Sequence, residues 1–338
     1  MTEKTKIEQP AIFKRVAIIG HGHIGSSISR AIRLHNAAEH VAISDMDDAT
    51  RKRTIELDIV DSVHEEPSGA VAGADCVILC TPVGSYRAIS KALGPILEPG
   101  CVVTDVGSVK RAPIRDVGPN IPDGVHFVPG HPLAGTENSG PDAGFPGLFD
   151  GHYWLLTPDE TTDPDAVANV RAMYERFGAI VEEMSADYHD QALALTSHVP
   201  HLIAYAIVGT AVDLEEHLQQ DVIRFSATGF RDFTRIAGSD PVMWRDVFLN
   251  NREAVLEILQ RFQEDLTYLQ RAIRWGEGEK LQDLFTRTRE IRRGVIDAKQ
   301  DVPPTPDDHS PDDHSPDDPS PDDPSPDDPS PDGPGQSE

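Results

Sequence analysis

The glycine-rich motif GHGHIG at residues 20–25 constrains the fold more than any other feature of the chain. It follows a β-branched run, RVAII at residues 15–19, and precedes a helical pattern with Ile28 and Ile32 on its apolar side. In this setting the first glycine permits a tight turn, the second lets the backbone approach a pyrophosphate, and the third lets the helix pack close to the strand. The phosphates would rest on the helix N-terminus, where backbone amides lack internal partners. The motif predicts a Rossmann-type dinucleotide-binding unit; a glycine turn without a nucleotide is the alternative.

An acidic residue follows the second predicted strand, where residues 40–44 end in Asp45. A carboxylate about 20 residues beyond the glycines is placed to accept hydrogen bonds from ribose hydroxyls. It would repel a 2′-phosphate, and no arginine follows immediately. The pattern favours NAD over NADP.

Three further apolar runs, at residues 76–81, 102–107 and 125–128, lack alternation. Such runs are typical of parallel strands that are buried on both faces. Runs at 153–157 and 179–184 bracket a helix, and we expect them to finish the same sheet. Ligands bind at the carboxyl ends of parallel strands, so the loops at 81–84 and 105–110 become candidate site loops. The second loop offers Ser108, which has a helix N-cap as its alternative role, and Lys110, which has a solvated charge as its alternative.

The segment GHPLAGTE at residues 130–137 places His131 beside Gly130 and Pro132, at the end of a predicted strand. An unperturbed imidazole titrates at about pH 6.5 and can therefore accept a proton at cellular pH. His131 is a candidate general base, and a hydrogen bond that supports a tight turn is the alternative.

From Asp187 onward the patterns are helical. His198 and His201 are three residues apart and can share a helix face near Pro200; a metal pair is the alternative, without an evident third ligand. Arg231 and Arg235 suit the planes of substrate carboxylates, or else form a surface ion-pair stripe. Residues 242–273 read as one long amphipathic helix that packs in a core or a dimer.

The formal net charge of −27 argues against a nucleic-acid or acidic-membrane partner, because both need a cationic footprint. Of the 57 acidic residues, 13 lie in residues 301–338, where repeats such as SPDDP predict a disordered tail. The N-terminus lacks the apolar core of a signal peptide, and the longest apolar run, 202–212, is too short to span a bilayer. We expect a cytoplasmic protein with three reduced, buried cysteines.

Several motifs, in order along residues 13–298, closely resemble the prephenate/arogenate (cyclohexadienyl) dehydrogenases, the NAD(P)-linked enzymes of tyrosine biosynthesis. The motifs are GHGHIG with Asp45, TPVG at 81–84, DVGSVK at 105–110, GHPLAGTE at 130–137, TSHVPHLIAY at 196–205 and GFRDFTRIAGSDPVMWRD at 229–246. The resemblance implies the oxidative decarboxylation of prephenate to 4-hydroxyphenylpyruvate, or of arogenate to tyrosine, by a homodimer with its active site in an interdomain cleft.

The expected architecture is α/β. Residues 12–184 form a Rossmann-type dinucleotide-binding domain with a mostly parallel sheet, residues 185–300 form an all-α substrate-capping and dimerisation domain, and residues 301–338 form the disordered tail.

The resemblance also implies roles for individual residues. His131 is the base, Ser108 orients it or contacts the nicotinamide, and His201 and Arg235 hold the substrate. Ser197, Thr136, Glu137 and Asp232 lie close to the substrate, and Glu137 gates the cleft through ion pairing. The residues expected to bind the cofactor are Gly20, Gly22, His23, Ile24, Gly25, Asp45, Thr81, Pro82 and Asp105. No metal is expected.

Two other functions fit parts of the pattern. A β-hydroxy-acid dehydrogenase shares this plan, but that family uses a lysine from the first cap helix, and residues 187–212 contain none. A non-catalytic NAD-binding sensor would keep the fold, but it does not explain the joint presence of His131, His201 and Arg235.

Overall fold

The computed structural model describes residues 10–212 and 228–297, and its first half is built on a six-stranded parallel sheet. The strand order is β3-β2-β1-β4-β5-β6. The strands are β1 (Phe13–Ile19), β2 (Ala38–Ser44), β3 (Ser62–His64), β4 (Cys76–Leu79), β5 (Val102–Asp105) and β6 (His126–Val128). The order changes direction between β1 and β4, so the carboxyl ends of these two strands border the crevice in which such sheets bind nucleotides. The predicted Rossmann-type sheet is confirmed.

Five helices connect these strands and cover the sheet. They are α1 (His23–His35), α2 (Asp48–Leu57), α3 (Pro67–Val71), α4 (Tyr86–Leu93) and α5 (Arg111–Val117). Ile18 and Ile28 lie in one buried cluster and Ile19 in another, on the opposite face. The unbroken apolar runs of the strands are therefore explained by burial on both faces.

A second, three-stranded sheet contains the segment around His131. It consists of β7 (Gly130–Pro132), β8 (Tyr153–Leu156) and β9 (Ile180–Glu183), in the order β7-β8-β9, with α6 (Pro164–Arg176) between the last two. The expectation that the last two runs finish the main sheet is wrong. The reason is that β8 pairs antiparallel with β7 and parallel with β9, so both of its edges are already occupied.

The second half of the described chain is helical. Its elements are α7 (Ala186–Leu193), a π-helical turn (Ala194–His198), α8 (Val199–Val212), α9 (Thr228–Thr234), a 3-10 turn (Arg235–Gly238), α10 (Pro241–Asn250), α11 (Arg252–Arg274) and α12 (Gly278–Asp297). The π turn lies just before Pro200, which has no backbone N–H to donate to the preceding turn.

The expected single helix over residues 242–273 is wrong, because it is two helices that break at Asn251. The backbone of Asn251 is non-helical, with φ −116° and ψ 35°, and its side chain is bonded inside the protein. Helix α10 begins with a capped first turn: Asp240 accepts a hydrogen bond from the backbone N–H of Met243, and Pro241 occupies the first turn.

Helix α10 attaches the helical half to the loop that follows β4. Trp244 and Val247 are buried in the same cluster as Val83 and Tyr86. The N–H of Gly84 donates to Asp246 at 3.2 Å, and a Cβ at Gly84 would lie 2.4 Å from that carboxylate. A side chain at position 84 would displace the Asp246 carboxylate, because the two halves of the chain approach closely there.

Three sequence expectations concern surfaces and termini. All three cysteines are free thiols, and Cys76 and Cys101 are buried while Cys80 is half-buried. Residues 301–338 lie outside the described residues, so the expected disorder of the acidic tail stays a prediction. The continuous helical stretch Ala186–Ala211 is apolar and long enough to cross a membrane by composition alone, with a mean hydropathy of 1.4. It also carries the buried side chains of His189, Asp190 and His198, which spanning helices rarely do.

Candidate active site

The glycine motif has the geometry that a bound dinucleotide needs. Gly20 adopts φ +92°, and a Cβ at Gly25 would lie 2.3 Å from the carbonyl oxygen of Gly20. A Cβ at Gly22 would meet nothing within 4 Å, so the space above this backbone is open. The helix that follows presents its N-terminal amides to that space. The residues present therefore fit the pyrophosphate of NAD.

Two histidines lie within the motif. His23, at the first turn of α1, is buried, and its Nε2 atom has no hydrogen-bond partner among the described residues. His21 is fully buried, with its ring nitrogens 2.8 Å from the hydroxyls of Thr54 and Ser29. His21 therefore ties the loop to α1 and α2, whereas one ring nitrogen of His23 lacks a partner among the described residues, and its expected contact with the cofactor stays a prediction.

The loops predicted to flank the nucleotide do meet. A Cβ at Gly20 would lie 2.8 Å from the side chain of Thr81, so the end of β4, which leads into Pro82, adjoins the glycine turn. The hydroxyl of Thr136 lies 3.5 Å from Nδ1 of His23. A Cβ at Gly135 would meet Ile24 at 3.9 Å. The segment after β7 therefore folds over the start of α1.

Asp45 lies at the end of β2, where a ribose carboxylate is expected. Its two oxygens accept hydrogen bonds from the backbone N–H groups of His21 (2.8 Å) and Asp47 (2.9 Å). The sequence pattern missed Arg51, whose Nη1 donates to the carbonyls of Asp45 (2.9 Å) and Met46 (3.0 Å). Arg51 is six residues beyond Asp45 in sequence, but it lies on α2, and this helix places its guanidinium next to the end of β2.

Asp105 and Lys110 form a buried ion pair beneath the site, with 2.6 Å between Nζ and Oδ2 and both side chains fully buried. The carboxylate also accepts from the backbone N–H groups of Gly107 (2.8 Å) and Gly130 (3.1 Å), and Nζ donates to the carbonyl of Gly130. The Asp105 side chain is therefore engaged within the protein, and its expected contact with the cofactor stays a prediction. Lys110 is not a solvated charge, because its side chain is fully buried and a buried ammonium must keep a partner.

The ion pair has a positioning effect. By holding both the N–H and the carbonyl of Gly130, Asp105 and Lys110 clamp the start of β7 against the end of β5. His131 is the next residue, so its backbone is anchored to the central sheet.

His131 lies in β7, opposite Leu155, and is only 7% exposed. Its Nδ1 is 2.8 Å from Nε2 of His189, whose own Nδ1 is 2.8 Å from Oδ1 of Asp190. Burial is the main cause that lowers the pKa of His131 well below 6.5, and the neighbouring basic groups of His189, Lys110 and His198 lower it further. His131 is therefore neutral at cellular pH, as a general base must be.

Sequence reasoning missed His189 and Asp190. Their only signal is a His-Asp dipeptide on a helix, and no spacing rule joins it to a histidine 58 residues away. Ser108 was expected to orient His131, but among the described residues it makes no hydrogen bond to that ring. Both expected roles of Ser108, orienting His131 and contacting the nicotinamide, stay predictions.

Ser108 is held by its main chain. Nε2 of His198 lies 3.2 Å from the carbonyl oxygen of Ser108, which can only accept. The amide Nδ2 of Asn251 donates to Nδ1 of His198 at 3.0 Å and to the carbonyl of Asp190 at 2.8 Å. Because one ring nitrogen donates and the other accepts, His198 is neutral; burial lowers its pKa to about 4. Both ring nitrogens of His198 are therefore used in hydrogen bonds within the protein.

His201 lies one turn further along and faces a different environment. Its Nδ1 donates to the carbonyl of Ser197 at 2.9 Å, and its ring stacks on Trp244 with 3.6 Å between centroids. Burial, and to a smaller extent the positive charge of Arg235, lowers the pKa of His201, whereas the hydrogen bond to Ser197 raises it. Nε2 is therefore the ring nitrogen of His201 that has no hydrogen-bond partner among the described residues.

Arg235 begins the 3-10 turn after α9 and is about half-exposed. Its Nη1 donates to Oε2 of Glu137 at 2.6 Å. The structure thus brings Glu137 and Arg235 together across 98 positions of sequence, as the expected ion pairing requires. Asp232 is exposed on α9, and no contact of its side chain within the described residues supports the role expected for it.

A metal site is not formed by these residues. Among residues 10–212 and 228–297, no group of three or more His, Cys, Asp or Glu side chains could hold a metal ion. The two histidines of HVPH bond to Ser108 and Asn251 and to Ser197, as described above.

Three features together define a nucleotide-dependent dehydrogenase. They are a Rossmann sheet with an open glycine turn, a neutral buried histidine, and an arginine that the helical half contributes to the same region. The chain belongs to the prephenate dehydrogenase family. The family's nucleotide-binding domain matches residues 28–183, and its dimerization domain matches residues 185–287. It is therefore an NAD-dependent oxidoreductase.

Individual relatives agree with this assignment. The chain is 41% identical to the cyclohexadienyl dehydrogenase of Zymomonas mobilis over 83% of this chain and 96% of that protein. It is 31% identical to the prephenate dehydrogenase of Bacillus subtilis over 83% of this chain and 76% of that protein. The crystal structure of prephenate dehydrogenase from A. aeolicus, in complex with hydroxyphenyl propionate and NAD+, superposes with a TM-score of 0.76 at 32% identity, covering 83% of this chain and 98% of that one.

Proposed function

We propose that this chain catalyses the NAD-dependent oxidative decarboxylation of prephenate to 4-hydroxyphenylpyruvate, of arogenate to tyrosine, or of both. The observation that carries the proposal is the pairing of the dinucleotide cradle with His131, a neutral base whose pKa is lowered by burial. The names of the relatives support the same substrates.

The proposed chemistry asks little of the protein beyond alignment and one proton transfer. NAD bound at the glycine cradle would supply the hydride acceptor for the carbinol carbon. His131 takes the hydroxyl proton at Nε2, so the C–O bond becomes a carbonyl. The ring carboxylate then leaves as carbon dioxide, its bonding electrons move through the ring to the carbonyl oxygen, and that oxygen takes the proton back from His131 as the ring becomes aromatic.

The other residues bind and orient. We assign Arg235 to a substrate carboxylate, and His201 to a contact through Nε2, its only available ring nitrogen. Ser197, Thr136, Glu137 and Asp232 are proposed to line the same cleft. The hydroxyl of Ser108 is proposed to contact the nicotinamide, because its main chain is fixed beside the cofactor crevice.

Assembly and location complete the proposal. The match to a dimerization domain supports a homodimer, and so do exposed apolar side chains on α11 and α12 such as Leu256, Leu266 and Phe285. A cytoplasmic location is part of the proposal, and so is the expectation, from the acidic composition, that the chain has no nucleic-acid or membrane partner.

The test is a set of parallel steady-state assays with prephenate and arogenate, each with NAD and with NADP, followed by NADH or NADPH absorbance. Formation of NADH together with release of carbon dioxide supports the proposal. No turnover with either substrate would favour a non-catalytic NAD-binding protein. NADH formation without carbon dioxide, from a β-hydroxy acid, would favour that other class of dehydrogenase.

A further inference from the structure

Three buried side chains form a continuous hydrogen-bonded chain behind the proposed base: Asp190, His189 and His131. The two contacts are 2.8 Å each, and the exposures of the three residues are 2%, 0% and 7%. This series of hydrogen bonds links α7 of the helical half to β7 of the second sheet.

Asp190, at one end of these hydrogen bonds, determines where the protons lie on His189 and His131. Asp190 accepts hydrogen bonds from the backbone N–H groups of Lys110 (2.7 Å) and Arg111 (3.0 Å). With the hydrogen bond from His189, these amides lower the pKa of Asp190 despite its burial. Asp190 is therefore an ionised acceptor, and Nδ1 of His189 must carry a proton.

The positions of the protons on His189 and His131 can then be assigned one after the other. Burial lowers the pKa of His189, so its ring is neutral and Nε2 is a lone-pair acceptor. Nδ1 of His131 must then be the donor of the 2.8 Å contact. In a neutral imidazole this leaves the lone pair on Nε2, the atom that a general base needs.

We propose that His189 and Asp190 are positioning residues that hold His131 in its Nδ1–H tautomer, with Nε2 free to take the substrate proton. This rests on the proposed function of His131 as the base. When Nε2 takes the hydroxyl proton, an O–H bond breaks and an N–H bond forms. The resulting positive charge on His131 is stabilised through Nδ1–H, His189 and the carboxylate of Asp190.

Other charged and titratable groups near His131 do not replace this role. The ammonium of Lys110 disfavours a positive charge on His131, and Lys110 itself is paired with Asp105 at 2.6 Å. His198 is committed to Ser108 and Asn251. Among the described residues, Asp190 is therefore the carboxylate that communicates with His131 through hydrogen bonds.

The most informative variant is Asp190→Asn. It keeps the shape of the side chain but leaves one acceptor oxygen for the donors that surround it, which are His189 and the backbone N–H groups of Lys110 and Arg111. If the amide NH₂ faces His189, then Nδ1 of His189 must accept, its Nε2 must donate, and His131 is forced into the Nε2–H tautomer. We expect a fall in kcat of at least about tenfold, up to the order of 10⁴-fold, with the KM for NAD unchanged.

A pair of substitutions at His189 separates positioning from packing. Gln retains an oxygen that can accept from Nδ1 of His131, whereas Leu fills space without any acceptor. We expect His189→Gln to retain at least about tenfold more kcat than His189→Leu. Equal activity in the two variants would contradict the proposal.

The tautomer is measured directly by 15N NMR of histidine-labelled protein, with the His131 signals assigned by their loss in His131→Asn. Wild type should show Nδ1–H at His131, and Asp190→Asn should show Nε2–H. His198→Gln is the control for loss of a buried histidine nearby, and it should leave His131 in the wild-type tautomer. An Nε2–H signal in wild type, or an unchanged tautomer with unchanged kcat in Asp190→Asn, would overturn the positioning role. Full activity in His131→Asn would instead remove the base itself and with it the proposed mechanism.

Discussion

Glu137 accepts a hydrogen bond from Arg235 at 2.6 Å, and this ion pair joins the loop after β7 to the helical half of the chain. The contact uses Nη1 of the guanidinium. Arg235 is 53% exposed, so its remaining N–H groups can meet a carboxylate that enters the cleft. Both partners are too exposed for the pair itself to contribute much stability.

Arg235→Gln should therefore weaken substrate binding more than it changes folding. Losing a charge-assisted hydrogen bond costs about 1.5–3 kcal/mol, which corresponds to roughly one to two orders of magnitude in KM. The kcat should fall less, because the substrate carboxylate is charged in both the ground state and the transition state. Steady-state kinetics and NAD titration measure both quantities, and NAD affinity should not change.

Glu137→Gln is the matched control for that prediction. If Arg235 acts only as the partner of Glu137, both single variants should have the same KM. If Arg235 binds the substrate carboxylate, Glu137→Gln should raise KM less than Arg235→Gln does, because it keeps the guanidinium and removes only the exposed ion pair. Arg235→Lys should recover binding only in part, since an ammonium cannot form a two-point contact.

His131→Asn should nearly abolish turnover while the protein still binds NAD. Removal of a general base costs roughly 10²- to 10⁴-fold. The loss should appear in kcat, because proton transfer belongs to the transition state. Stopped-flow NADH formation together with NAD titration makes the measurement, and a variant with wild-type kcat would exclude His131 as the base.

The acidic limb of the activity profile should lie below pH 6.5. His131 must be neutral to accept a proton, and burial together with nearby positive charge lowers its pKa. Activity is therefore present above the lowered pKa and is lost as pH falls through it. The profile of kcat/KM reports this group in the free enzyme. Samples returned to neutral pH should regain activity, and a limb centred at or above pH 6.5 would contradict the assignment.

Much of the nucleotide half could be predicted from sequence, because its signals are local. A glycine turn between a strand and a helix leaves few alternatives, and Asp45 follows from the same spacing. The second sheet could not be predicted, because β7 has three residues and β8 and β9 have four each. Their pairing depends on contacts between distant segments.

The site itself shows the same division. His131, Arg235 and Glu137 lie in motifs that a resemblance can point to, and the structure places the last two in contact. The neutrality of His131 depends on burial, and its tautomer depends on a helix 58 residues away. Lys110 looks like a surface charge in sequence, and only the fold shows that Asp105 is its buried partner.

Stability should fall as pH drops from 6.5 toward 5, before most carboxylates titrate. Burial lowers the folded-state pKa of His198 to about 4, whereas an unfolded histidine titrates at about 6.5. In this window the unfolded chain binds more protons, so the stability present above pH 6.5 is progressively lost. Urea unfolding at several pH values measures the slope. His198→Gln should reduce that slope, even though it lowers stability at neutral pH. An unchanged slope would show that His198 is not a buried neutral group.

Asp45 and Arg51 together should set the choice between NAD and NADP. The carboxylate of Asp45 is placed for ribose hydroxyls and would repel a 2′-phosphate, so wild type should prefer NAD. Arg51 has a side chain only 14% exposed and is held against the carbonyls of Asp45 and Met46, so a cation is already present at this corner. Asp45→Ser should therefore weaken NAD use and raise relative NADP use by about tenfold or more, since each charge-assisted contact is worth about 1.5–3 kcal/mol.

In the Asp45→Ser background, Arg51→Gln should cancel most of the NADP gain while leaving NAD kinetics close to those of the single variant. The measurement is kcat/KM for both cofactors in all three variants and wild type. If wild type uses NADP as efficiently as NAD, Asp45 does not discriminate between them. If Arg51→Gln leaves the NADP gain intact, the phosphate is received elsewhere.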